Sequence, residues 1–221
     1  MQGTSILGTR VQRVEDPKLL TVGGSYAADI DVPNAAFVVY VRSSVAHARL
    51  VSVDVTDARA LPGVLAVFTA EDLGLPSVPP MLPFMDQRLL RPRLAQGTVR
   101  YVGDPVVAIV AESQSIGVDA AELVVIDYDP LPVVVDAERA AEPGAPLVTP
   151  EIGTNVAAVV PSAGPADFSG CDVVVEQRLV NSKLAPVPME PRASAVRWGE
   201  DGRLTVWACT QMPHMTRMIL A

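Results

Sequence analysis

Short apolar runs of strand length recur along the chain, separated by polar stretches that carry Pro, Gly, Asp or Ser. Ala36 to Val41, Leu50 to Val55 and Val64 to Phe68 are rich in β-branched residues and read as strands. A short helical segment around Asp57 to Leu61 and the Pro62-Gly63 turn separate the last two. Val106 to Ala111 is a continuous apolar strand, Ser113 or Ser115 can cap a helix through Leu123, and Val124 to Tyr128 returns as a strand. That β-α-β order predicts a right-handed crossover onto a partly parallel, mixed sheet. Val173 to Leu179, Ala193 to Trp198 and Leu204 to Cys209 then read as three antiparallel strands, the last two joined by Gly199-Glu200-Asp201-Gly202.

The irregular stretches set the organisation. Residues 1–20 read as an extended arm, with Arg10, Arg13, Glu15, Asp16 and Lys18 alternating with small or apolar positions and Pro17 discouraging helix before it. Residues 74–98 carry Pro76, Pro79, Pro80, Pro83 and Pro92, which predicts a long loop on the domain or on a partner. The Ala-, Glu- and Pro-rich segment Asp136 to Pro150 marks a domain boundary. The expected division is an arm over 1–20, an α/β-type domain over 21–145 and the partial start of a second domain over 146–221, with an α+β fold class overall. Pro213 should open a helix. The sequence stops at Ala221, about two turns later, leaving Met215, Met218 and Ile219 without cover, so this end reads as part of a larger site.

Composition narrows the possibilities. With 221 residues and 49% hydrophobic content, the chain has material for one large or two modest domains. A net charge of -8 and scattered Lys and Arg argue against a nucleic-acid partner. No apolar run is long enough for a transmembrane segment, and the N-terminus lacks a secretory pattern, so the expected location is cytoplasmic. Cys171 and Cys209 do not form a CxxC-type metal motif and are expected as small core residues.

Most polar motifs have structural readings. Gly23-Gly24 lacks dinucleotide or phosphate-loop spacing and reads as a turn. His47, with no second His nearby, reads as a hydrogen-bonding structural residue. Gly103-Asp104-Pro105 reads as a turn into the following strand, and Asp127 and Asp129 as solvated charges on one strand face. Glu190 and Arg192 read as an ion pair bracing the turn Pro188-Met189-Glu190-Pro191-Arg192. Gln211 differs, because its neutral amide offers a donor and an acceptor where a strand gives way to a helix N-terminus; hydrogen bonding to an oxo ligand or substrate stands beside a helix-entry role.

Taken together, Val11-Gln12-Arg13-Val14-Glu15-Asp16-Pro17, Ala46-His47-Ala48-Arg49, Ala60-Leu61-Pro62-Gly63-Val64, Arg100-Tyr101-Val102-Gly103-Asp104-Pro105-Val106, Asp119-Ala120-Ala121-Glu122-Leu123-Val124, Pro188-Met189-Glu190-Pro191-Arg192, Leu204-Thr205-Val206-Trp207 and Thr210-Gln211 form an ordered series along the chain. This series resembles the large subunit of molybdenum hydroxylases, the family of xanthine dehydrogenases, aldehyde oxidases and aerobic carbon monoxide dehydrogenases. The resemblance implies an α/β hammerhead domain followed by the start of a molybdenum-cofactor-binding domain. It implies a molybdenum-pyranopterin cofactor (Moco), held mostly by residues outside this chain, and small-molecule oxidation with water-derived oxygen. Electrons would pass to [2Fe-2S] clusters and FAD on small and medium partner subunits. It further implies that Gln211 hydrogen-bonds an oxo ligand of molybdenum, that no residue here is a metal ligand, and that the remaining large-subunit domains complete the site. Ser44-Val45 and Asn181-Ser182-Lys183 depart from the family pattern, putting a local turn and an arginine contact in doubt. The alternative expectation is a non-catalytic hammerhead that serves interaction or assembly.

Overall fold

The structure, a computed structural model, describes residues 8, 10–160, 164, 166–182 and 184–220. Lys183, within the departure noted above, Ala221 and most of the first nine residues of the arm lie outside them. The helices are α1 (Asp16–Thr21), α2 (Thr56–Ala60), α3 (Ala70–Leu73), α4 (Gln114–Glu122), α5 (Ala137–Ala140) and α6 (Pro213–Leu220), with 3-10 turns at Ala27–Asp29 and Pro150–Ile152. The strands are β1 (Phe37–Arg42), β2 (Ala48–Asp54), β3 (Val64–Phe68), β4 (Thr98–Val99), β5 (Pro105–Ala111), β6 (Val125–Pro130), β7 (Ser194–Trp198) and β8 (Leu204–Ala208). The chain forms two compact units, one of residues 35–175 and one of residues 1–34 with 176–221.

In the first unit, β5 lies between β1 and β3, and β2 lies between β4 and β6. Val106, Val107, Ala108, Ile109 and Ala111 of β5 are buried, as the continuous apolar run requires of a strand covered on both faces. Helix α4 packs on β1, β5 and α2. Ser113 caps it, its hydroxyl accepting the Ile116 N–H at 3.3 Å. Ala48, Val55, Ala58, Val67, Val99 and Ala120 complete one buried cluster with β5, so the core draws on both sheets and two helices.

Three expectations are corrected. The α+β class stands, but every strand pairing among the described residues is antiparallel, and β5 and β6 belong to different sheets. Both edges of β5 are already occupied by β1 and β3, so the helical crossover has to deliver β6 elsewhere. The arm is not extended throughout: α1 begins at Asp16, with Pro17 in its first turn where a missing N–H costs no helical hydrogen bond. Arg13 Nε also donates to Asp16 Oδ1 at 2.8 Å. Val173 to Leu179 forms no strand, and Val173, Val175 and Leu179 are exposed. An alternating apolar pattern becomes a strand only where a partner supplies the ladder.

The long loop keeps its irregular path but is internally braced. Val78 and Arg91 exchange two backbone hydrogen bonds of 2.7 and 2.9 Å. Gln87 donates its amide to the Leu82 and Met85 carbonyls at 3.3 and 3.0 Å. Arg88 grips Asp86 with a two-pronged contact, Nε to Oδ1 at 3.0 Å and NH2 to Oδ2 at 2.6 Å. Leu94 and Ala95 are buried, and the Ala95 N–H reaches the Pro105 carbonyl at 2.7 Å, which ties the loop to β5.

Two measurements test this packing. Gly117 of α4 faces β1, and an added Cβ would lie 2.6 Å from Val39 Cγ2 and 3.2 Å from Val39 Cβ. Gly→Ala in a helix normally gains about 1 kcal/mol, whereas overpacking against a stiff β-branched side chain costs about 1–3 kcal/mol. Gly117→Ala should therefore lower the urea midpoint of unfolding; a raised midpoint would contradict the close α4–β1 approach. The hydrogen bonds and charge of Arg88 hold Asp86 down to about 2, below the ordinary carboxylate value of 3.8. A depressed folded value stabilises above the unfolded value, and that contribution is lost as pH falls from about 4 through 2. Titration of the Asp86 carboxyl by NMR should show its midpoint near 2, moving up in Arg88→Ala.

Candidate functional site

The hairpin of β7 and β8 runs in register from Ser194 opposite Ala208 to Trp198 opposite Leu204. Its connection is closed by Gly199 N–H to the Arg203 carbonyl at 2.8 Å and Gly202 N–H to the Gly199 carbonyl at 3.0 Å. The Cys209 N–H reaches the Ala193 carbonyl at 3.1 Å, carrying the ladder one residue beyond β8. Arg197 lies over the Trp207 ring at 5.8 Å, joining diagonal neighbours of the two strands.

Gln211 sits in the turn that follows. Thr210 Oγ1 accepts the Met212 N–H at 3.1 Å, and Thr216 Oγ1 donates to the Met212 carbonyl at 3.0 Å. The two hydroxyls are 3.1 Å apart. With the Thr216 proton committed to Met212, the Thr210 hydroxyl donates to Thr216. Thr216 N–H closes the first turn of α6 on the same carbonyl at 2.9 Å. The backbone on either side of Gln211 is thus clamped by two threonine side chains, while Gln211 itself is exposed and its amide makes no hydrogen bond among the described residues. Such an amide is available to a ligand without prior loss of a protein contact. The clamp was not anticipated from sequence; Thr210 two positions before Met212, ahead of Pro213, is the local signature that would have flagged it.

Behind the turn lies a polar pair. Glu190 Oε1 accepts the Ala27 N–H at 3.1 Å, and its charge acts on the Cys209 thiol. This corrects the expected Glu190–Arg192 ion pair, which is absent from the ion pairs of the described residues. The backbone N–H at Ala27 offers Glu190 a fixed partner, whereas an exposed Arg192 would have to be immobilised to compete. Cys209 is half-buried and Cys171 exposed, so neither is the buried core residue expected of it. Burial first, and then the Glu190 charge, push the Cys209 thiol above its ordinary value, with Arg192 opposing.

Elsewhere the motifs do structural work. His47 is buried, with Nδ1 2.7 Å from the Pro132 carbonyl, and a carbonyl partner makes Nδ1 the protonated nitrogen. Gly103 has φ +92°, which a residue with a Cβ rarely adopts, and its N–H donates to the Ser43 carbonyl at 2.8 Å, while the Ser43 N–H reaches the Asp104 carbonyl at 2.8 Å. The departure at Ser44-Val45 is accommodated by Ser43, whose hydroxyl donates to the Val45 carbonyl at 2.8 Å and accepts its N–H at 3.2 Å. Asp127 and Asp129 are exposed, bound to Ser52 at 2.7 Å and Arg49 at 2.8 Å. No cluster of three His, Cys, Asp or Glu suited to a metal occurs among the described residues.

Comparison with known proteins places this arrangement. Residues 21–132, just over half the chain, match the a/b hammerhead domain of aldehyde oxidase and xanthine dehydrogenase. The chain belongs to that family. Residues 149–221, which contain the hairpin, Gln211 and α6, match a molybdopterin cofactor-binding domain. The nicotine 6-hydroxylase large subunit of Paenarthrobacter nicotinovorans is 36% identical over 98% of this chain and 27% of its own length. The carbon monoxide dehydrogenase large chain of Afipia carboxidovorans is 32% identical over 97% of this chain and 28% of its own. The crystal structure of quinoline 2-oxidoreductase from Pseudomonas putida 86 superposes with a TM-score of 0.81 at 34% identity, over 97% of this chain and 28% of that one. The chain therefore spans somewhat more than a quarter of the length of these relatives. No helix among the described residues is long and apolar enough to cross a membrane.

The thiol environment makes a direct prediction. Alkylation at pH 8.5 should modify exposed Cys171 before Cys209, and Glu190→Gln should speed modification of Cys209 severalfold by removing the facing negative charge. Equal rates in both proteins would show that Glu190 does not face the thiol.

Proposed function

We propose that this chain is the N-terminal portion of a molybdenum-binding large subunit that oxidises a small molecule, with Gln211 as its contact to the cofactor. The reading assigns residues 1–20 to an arm, 21–145 to the hammerhead domain and 146–221 to the opening of the molybdenum-cofactor domain. The observation that carries it is the clamped turn after β8, where an exposed amide without a partner among the described residues lies inside the stretch that matches a molybdopterin-binding domain.

The residues present fit the cofactor in a limited way. They offer one neutral amide able to hydrogen-bond an oxo group without adding charge. When bound, that centre supplies two-electron oxidation with oxygen derived from water. Gln211 orients by hydrogen bonding, and the Thr210–Thr216 clamp keeps its backbone in place. The remaining large-subunit domains supply the rest of the site, including any catalytic base. A small [2Fe-2S] subunit and a medium FAD subunit take the electrons, in the cytoplasm. The substrate is an aldehyde, a purine, an N-heterocycle or carbon monoxide; the relatives named for nicotine, quinoline and carbon monoxide lie within that range.

Purification of the tagged chain from its native host, with intact masses of associated chains and molybdenum, iron and flavin assays, tests the reading. The chain alone should bind no molybdenum and reduce no dye, and the preparation containing the remaining large-subunit domains should do both. In that preparation Gln211→Ala should lower kcat by about 10–100-fold, the range for residues that orient a metal's ligands, without loss of molybdenum. Unchanged turnover at full molybdenum content would remove Gln211 from the centre. A pure chain that oxidises substrate by itself would overturn the division of labour, and a chain that never associates with metal or redox subunits would favour a hammerhead serving assembly alone.

A further inference from the structure

The loop between α3 and β4 has two properties that its own fold does not use. Its outward side chains are apolar: Met81 is 52% exposed, Phe84 57% and Leu90 57%. Its charge is also mostly positive, because residues 74–97 hold three arginines and one acidic residue, Asp86, in a chain whose net charge is -8. Arg88 is neutralised by Asp86, but Arg91, Arg93 and Arg100 form no ion pair among the described residues. Asp104 is the acid next to this stretch, and its carboxylate accepts the Arg100 N–H at 3.1 Å.

The loop is held in shape before anything binds. The Val78–Arg91 bridge, the Gln87 amide, the Asp86–Arg88 fork and the Asp86 N–H to the Ala157 carbonyl at 3.2 Å fix its path. Buried Leu94 and Ala95 anchor its end. A preorganised loop loses little conformational entropy on association, and aromatic and arginine side chains are the types that carry binding energy in protein interfaces. Unpaired guanidinium groups beside an apolar surface favour an occupant with carboxylates at its rim and apolar groups at its centre.

We propose that the 74–97 loop is a docking surface for the acidic face of a partner protein, with Phe84 and Leu90 as apolar anchors and Arg91 and Arg93 as the charge-selective contacts. The inference rests on the functional reading only for the origin of the partner, a companion subunit of the same enzyme.

The test uses the full tagged chain purified with its associated subunits from the native host. Arg91→Lys/Arg93→Lys keeps the charge and supplies amines, so a zero-length carbodiimide should join positions 91 and 93 to Asp or Glu side chains of a different polypeptide. Arg91→Glu/Arg93→Glu should lower recovery of that polypeptide at least about tenfold while the circular dichroism and melting temperature of the chain stay those of wild type. Raising salt should weaken the wild-type association and leave the reversed variant little changed. Unaltered recovery on charge reversal, cross-links confined to this chain or a second copy of it, retained nucleic acid in place of protein, or a wild-type chain that purifies alone would each overturn the proposal. Cross-links to an acidic partner in a preparation without molybdenum would keep this inference and reject the functional reading. Molybdenum, iron and flavin with no such cross-links would do the reverse.

Discussion

The antiparallel seating of β5 between β1 and β3 is the constraint on which the first unit depends. Because both edges of β5 are taken and its residues are buried on both faces, every other element of that unit has to be arranged around it. Helix α4 approaches β1 so closely that a Cβ added at position 117 would lie 2.6 Å from Val39 Cγ2. Strand β6, emerging from α4, finds no free edge beside β5 and pairs with β2 instead. The buried cluster that results is made largely of Ala and Val, small side chains that let helices and two sheets approach closely around Ile109.

The same strand supports the long loop. Ala95 binds the carbonyl of Pro105 at the start of β5, so the loop's path is referred to the most buried part of the unit rather than to solvent. Around that anchor the loop's polar groups are satisfied internally, by Gln87, Asp86 and the Val78–Arg91 exchange, and its arginine and apolar side chains are left facing outward. In the other unit a comparable economy operates at Gln211. Two threonine hydroxyls satisfy the turn's backbone, so the glutamine amide is not consumed in holding its own loop. A hydrogen-bonding group kept free by its neighbours' satisfaction is what a ligand contact requires, because binding then exchanges only water.

Several features were legible in the residues. The apolar run at 106–111, Ser113 as a helix cap and the hairpin about Gly199 to Gly202 each depend on a local pattern whose physical demand is met within a few residues. His47 likewise finds a structural partner, the Pro132 carbonyl. Gln211 could be singled out by its place between a strand and a proline-led helix, but not its availability, which depends on where Thr216 folds back one turn later. Sequence proximity favours Arg192 as the partner of Glu190, whereas the contact it makes, the Ala27 N–H, is distant in sequence.

Local interactions, then, let the sequence by itself determine the kinds of element, the strand-to-helix turn that carries Gln211 and, through an ordered series of motifs, the family. Tertiary structure decided which strands pair, whether Val173 to Leu179 becomes a strand at all, and which polar groups are spent on structure. The reason is that strand pairing and hydrogen-bond satisfaction are properties of partners. A β-competent run has no ladder until an edge is free to receive it, and an amide or carboxylate has no role until competing donors have been placed.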